Sequence, residues 1–235
     1  MIGILVQLAI SWLLVWFFEK KNLGVLGLFP TKVRLTDFLV FFLITALCCL
    51  SGFLLKIYFF KDHWVINPNL TPKLIAEGVW WNIKSVLYEE LIFRGVLFYI
   101  AIKKLGQVKA IILSAVSFGI YHWFSFDAFG NAIMMVFIFL YTGVMGLVWA
   151  YAYAKSKSLV APIAMHLGWG LIQQVLFSNG PIGEQLLIPG QPTIEVTVSY
   201  FTLYTVQFFP IVFTPAFLFC VLYTFHQSGR WKEVT

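Results

Sequence analysis

The chain is 235 residues long, 60% hydrophobic and 19% aromatic, with 11% charged residues and a net charge of +6. An average soluble domain is about a quarter charged, so this composition excludes an ordinary water-soluble globule and belongs to a polytopic membrane protein. The basic residues punctuate the apolar runs instead of clustering, which suits membrane topology and speaks against a nucleic-acid partner.

Hydropathy divides the chain into about seven spans, at residues 2–18, 35–60, 74–102, 107–126, 131–154, 159–178 and 199–226. Each is long enough for a hydrocarbon core of about 30 Å. The expected fold is therefore an all-α bundle of transmembrane helices forming a single integral membrane domain, residues 1–235. The first span lacks a basic leader and a small-residue cleavage site, so it reads as a retained helix. The stretch from Leu23 to Phe29, closed by Pro30, is too short to span and is expected at the interface. Cys48, Cys49 and Cys220 lie in apolar runs without a CxxC, which indicates neither a disulfide framework nor a thiolate metal site.

Eleven Lys and Arg residues fall on one side of these spans, among them Lys20, Lys103, Lys155, Arg230 and Lys232, against Lys56, Lys61 and Lys73 on the other. The positive-inside rule then places the N-terminus outside and the C-terminus in the cytoplasm. Gly146, Ala150 and Ala154 recur every four residues, as do Ala164 and Gly168, the spacing that lets helix backbones approach closely. Pro210 and Pro215 are expected to kink the last span. The loop from Asn179 to Val198 reads as a plain connection, with a lid over the site as the alternative.

The third span carries Glu89, Glu90 and Arg94 inside an apolar segment. Charges at membrane depth cost several kcal/mol each unless paired or hydrated, so they mark function by default. In a helix Glu90 and Arg94 are i,i+4 neighbours with the acid first, the favourable order for an ion pair. Glu89 points about 100° away, on the face of Ser85 and Phe93, and has no partner in its helix. Two further spans hold a histidine each: His122, one turn after Phe118, and His166. His63, His226 and Asp127 fall at span ends or in a turn and read as solvated.

A carboxylate and two imidazoles in a bundle permit two chemistries. The carboxylate can serve as general base on water, with a histidine sharing the proton or stabilising an oxyanion. Alternatively Glu89, His122 and His166 are a suitable zinc ligand set with a fourth position open for water. Both lead to hydrolysis of an acyl bond. No HExxH, GxSxG or GxGD occurs, which disfavours the zinc, serine and aspartyl types of intramembrane protease marked by those motifs.

Glu89-Glu90-x-x-x-Arg94, Phe118-x-x-x-His122 and the later His166 resemble, in order and on separate spans, the three motifs of the CAAX protease and bacteriocin-processing (CPBP) family. That resemblance implies an intramembrane endopeptidase with a catalytic core at about 74–180, acting on a membrane-associated or lipidated peptide or protein, in a bacterial plasma membrane. It assigns water activation to Glu89, partnership to His122, bracing to Glu90 and Arg94, and oxyanion stabilisation or metal binding to His166. One position departs from the pattern: the family has Asn or Asp four residues after the third-motif histidine, and this chain has Gly170. Gln173, seven residues after His166, is the candidate substitute, with Gln174 beside it.

The missing side chain at Gly170, and the lack of any visible carboxylate to orient either histidine, favour a mechanism without metal over one with zinc. Two other readings are compatible with these residues: a non-catalytic membrane binding or immunity factor, and a small proton- or ion-coupled transporter. The latter calls for internal repeats, and none is visible. The helix rise also raises a geometric question. His122 lies deep in its span, His166 about two turns into its own and Glu89 near mid-span, so bringing them together requires tilt, a re-entrant segment or a deep cavity.

Overall fold

The structure is a computed structural model that describes residues 2–191 and 197–231. Lys232 and the middle of the loop before the last span lie outside the described residues. Nine α-helices are described: α1 Ile2–Glu19, α2 Lys32–Phe60, α3 Pro72–Phe93, α4 Val96–Leu105, α5 Gln107–Ser125, α6 Ala132–Ser156, α7 Val160–Gly170, α8 Tyr200–Phe208 and α9 Thr214–Gln227. Four of these segments, α1, α2, α5 and α6, are long and apolar enough to cross a membrane, as is the run Tyr200–Gln227. Large apolar side chains such as Leu5, Leu43, Val136 and Phe217 face outward, as a lipid-facing surface requires. The chain is an all-α helical bundle and an integral membrane protein.

Local chemistry sets the helix starts. Thr31, Thr71 and Asn131 cap α2, α3 and α6 by accepting from the backbone N–H of Arg34, Leu74 and Met134. Pro72 occupies the first turn of α3, where its missing N–H is harmless. At Pro210 the last span winds into a π turn, Phe209–Phe213, between α8 and α9, which locates the expected irregularity. A second π turn, Leu171–Leu176, extends α7.

The third hydropathy span is not one helix. It breaks at Arg94 and Gly95 into α3 and α4, because Arg94 leaves helical geometry and a side chain at position 95 would strike the carbonyl of Leu91. The apolar run hides this break, since glycine is common in membrane helices.

Small residues bring the central helices together as their spacing implies. A side chain at position 168 would collide with the carbonyl of Phe42, so Gly168 lets α7 lie directly against α2. Position 146 is similarly closed, by Phe118 and the Arg94 guanidinium.

Two connections are packed into the bundle. The segment after α1, expected at the interface, is held against α7. Leu26 is buried, its carbonyl accepts from Leu159 N–H, and the Gly27 carbonyl accepts from Ser158 Oγ, so this segment seats the N-terminus of α7. The loop after α7 is more than a connection. Its residues Leu187–Pro189 pair antiparallel with Trp64–Ile66, and Asn67 Nδ2 donates to the Gln185 carbonyl at 2.9 Å. That pairing holds Asn179, Gly180 and Pro181 against the interior, where they wall the cavity described next.

Candidate active site

The central feature is a cavity of about 480 Å³ between α3, α5, α6 and α7. Glu89, His122 and His166 all line it, so the three residues distant in sequence converge there. The His122 Nε2 atom lies 3.9 Å, and the His166 Nε2 atom 3.8 Å, from Glu89 Oε2. A deep cavity, reached by a buried and short α7, answers the geometric question posed by the spacing.

Each side chain is held by its own helix or a neighbour. Glu89 Oε1 accepts from Ser85 Oγ at 3.2 Å, one turn earlier on α3. Its Oε2 atom is buried and has no hydrogen-bond partner among the described residues. A buried carboxylate oxygen left bare is costly unless something fills the space before it, and the cavity provides that space. His122 Nδ1 lies 2.8 Å from the Phe118 carbonyl. A carbonyl only accepts, so Nδ1 carries the proton and Nε2 is turned to the cavity. The Phe118 ring packs edge-on to His122, which fixes the imidazole plane.

Glu90 and Arg94 form the ion pair that their spacing implies. Arg94 Nη1 donates to Glu90 Oε1 at 3.1 Å with both side chains fully buried. Arg94 Nη2 donates to the Gly146 carbonyl at 3.0 Å, and its guanidinium lies 4.2 Å from the Phe118 ring centroid. The closed space at Gly146 therefore has a use: the absent side chain leaves the α6 backbone open to the guanidinium.

One reading from the sequence is corrected here. His166 does have an orienting carboxylate, because its Nδ1 lies 2.8 Å from Glu90 Oε1. Trp149 stacks on the other side at 4.1 Å. The contact joins residues 76 positions apart, across two helices, so no local spacing could announce it. Glu90 thus does two jobs, pairing with Arg94 and setting the ring of His166.

Gln173 also lines the cavity, but its carbonyl oxygen is taken up. It accepts from Trp169 Nε1 at 2.5 Å and from Tyr141 Oη at 3.3 Å. It braces two aromatic walls of the cavity. The space beside Gly170 is filled from α3 instead, since a side chain at 170 would strike Asn82 Oδ1.

A zinc ion held by Glu89, His122 and His166 needs donor atoms roughly 3.3 Å apart, from bonds of about 2.0–2.1 Å at the tetrahedral angle. The gaps here, 3.8 and 3.9 Å, are wider. Among the described residues no group of three or more His, Cys, Asp or Glu side chains stands where it could hold a metal ion. As placed, these residues do not fit zinc.

Fold and site together define a polytopic membrane protein with a buried acid–imidazole cluster opening on a largely apolar cavity. Residues 71–172 match the family described as type II CAAX prenyl endopeptidase Rce1-like, consistent with the CPBP resemblance. The matched stretch is the part of the chain that carries the three motifs, from Glu89 through His166 to Gly170, so the similarity covers the cavity and its lining helices. No curated protein and no solved structure matches the chain.

Proposed function

We propose that the protein is an intramembrane endopeptidase that hydrolyses a peptide bond of a lipidated substrate, with Glu89 as general base and no metal. The observation that carries this reading is the bare, buried Glu89 Oε2, faced at 3.8 and 3.9 Å by two imidazole nitrogens across a cavity. Such gaps suit a bridging water. A water between Glu89 Oε2 and His122 Nε2 donates one proton to each, which leaves its lone pair for the scissile carbonyl carbon.

As the water attacks, Glu89 takes its proton and the carbonyl oxygen becomes an oxyanion. Collapse of that intermediate breaks the C–N bond, and Glu89 returns the proton to the leaving amine, so the net reaction consumes one water. His166 is the electrophile for that oxyanion: Glu90 holds its Nδ1 at 2.8 Å, and its Nε2 faces the cavity 3.8 Å from Glu89 Oε2.

The family match supports a substrate with a prenylated C-terminal CAAX sequence. Farnesylated reporter peptide is the appropriate probe, given to purified protein in detergent. The expected products, by mass spectrometry, are the released C-terminal tripeptide and a peptide ending in farnesylcysteine carboxylate. A clean preparation that leaves the reporter intact would overturn the assignment of this substrate class. We further propose a bacterial plasma-membrane location with the N-terminus outside and the C-terminus cytoplasmic, supported by the distribution of Lys and Arg.

A further inference from the structure

We infer that Asn82 is a second oxyanion donor of this site, supplying from α3 the amide that the chain lacks at Gly170. This deepens the hydrolase reading above and rests on it. Asn82 is 1% exposed and lines the cavity of Glu89, His122 and His166. Its Nδ2 is buried and has no hydrogen-bond partner among the described residues. A buried amide without a partner costs about 1–3 kcal/mol, so its retention calls for a group that it meets only during function.

The local geometry makes Asn82 and position 170 alternatives. Any side chain at 170 would strike Asn82 Oδ1, so glycine there is the condition for the amide to occupy this space. Gly170 lies one turn after His166 on α7, which puts the Asn82 amide beside the His166 wall of the cavity. Along α3, Asn82, Ser85 and Glu89 share one face at i, i+3 and i+7. The Glu89 carboxylate bonds back to Ser85, one turn nearer Asn82. The cavity that all three line leaves room for a water and the scissile carbonyl between the carboxylate and the amide, with the carbonyl oxygen turned toward Asn82 Nδ2 and the His166 wall. The amide orientation that presents Nδ2 to the cavity is open to Asn82, because neither of its polar atoms is committed elsewhere.

A merely structural Asn82 and an oxyanion donor differ in what they change. Removing one oxyanion donor lowers kcat by about 10²–10³ with little effect on KM. The test measures kcat, KM and thermal unfolding on farnesylated reporter peptide for wild type, Asn82→Ala, Asn82→Asp and the relocation variant Asn82→Gly with Gly170→Asn. The expected result is a kcat lower by about 10²-fold in Asn82→Ala, with KM within about threefold and unfolding unchanged. Asn82→Asp, which keeps the shape without the N–H, falls at least as far. The relocation variant recovers at least tenfold of the loss by placing an amide in the same space from α7. Wild-type kcat in Asn82→Ala, or a loss matched by lower stability and not rescued by relocation, overturns the inference while leaving the hydrolase reading intact. An inactive wild type, or full activity in Glu89→Gln, instead removes the hydrolase reading and this inference with it.

Discussion

The buried pair between Glu90 and Arg94 gives the sharpest energetic prediction. Arg94→Met keeps the volume of the side chain but removes its bonds to Glu90 and Gly146 and its contact with the Phe118 ring. Glu90 is fully buried and is left without its cation, a loss of about 3–5 kcal/mol. Glu90→Leu strands the guanidinium at similar cost. The double variant leaves neither charge uncompensated, and replacing a buried pair by apolar groups is often neutral or stabilising by about 1–4 kcal/mol. The two losses should therefore not add, and the coupling should amount to several kcal/mol. Denaturant unfolding in mixed detergent micelles, read by tryptophan fluorescence, measures this cycle. Activity should follow a different pattern. The double variant regains stability yet stays inactive, because His166 Nδ1 has lost the carboxylate 2.8 Å away that sets its ring. Singles within 1 kcal/mol of wild type, or additive losses, would refute the pairing as the brace of this site.

Two further predictions test the scaffold and the metal question. Gly168→Val should force α7 away from α2 at the Phe42 carbonyl, costing about 1–3 kcal/mol and lowering both yield and unfolding temperature, whereas wild-type stability would contradict the close approach. Thorough chelation should leave reporter cleavage unchanged, and purified active protein should carry no stoichiometric zinc. Activity lost on chelation and restored by zinc would make Glu89, His122 and His166 ligands.

What the sequence made legible was what lies within one helix. Glu90 and Arg94 share a face one turn apart, as do Phe118 and His122, so helical periodicity was enough to place them. The small residues Gly146 and Gly168 announced tight contacts but not their partners, the Arg94 guanidinium and the Phe42 carbonyl. Contacts between helices were not legible. The bond from His166 to Glu90 depends on how α3 and α7 pack, and hydropathy carries no register between spans. The break at Gly95 was masked because the residues on either side are equally apolar. Gln173 sat at the right interval after His166, yet its oxygen is bound by Trp169 and Tyr141, contacts that helical spacing does not register. Asn82 went unnoticed for the opposite reason. Its signal was the vacancy at Gly170, and only the three-dimensional structure connects a missing side chain on α7 to an extra one on α3.

Single-turnover cleavage of farnesylated reporter peptide by Glu89→Gln tests whether Glu89 activates water for peptide hydrolysis. The substitution keeps the shape and the acceptor for Ser85 while removing the base. The rate should be lower by about 10²–10⁴-fold, with unfolding and substrate binding as in wild type. Cleavage by Glu89→Gln at a rate close to wild type would contradict it.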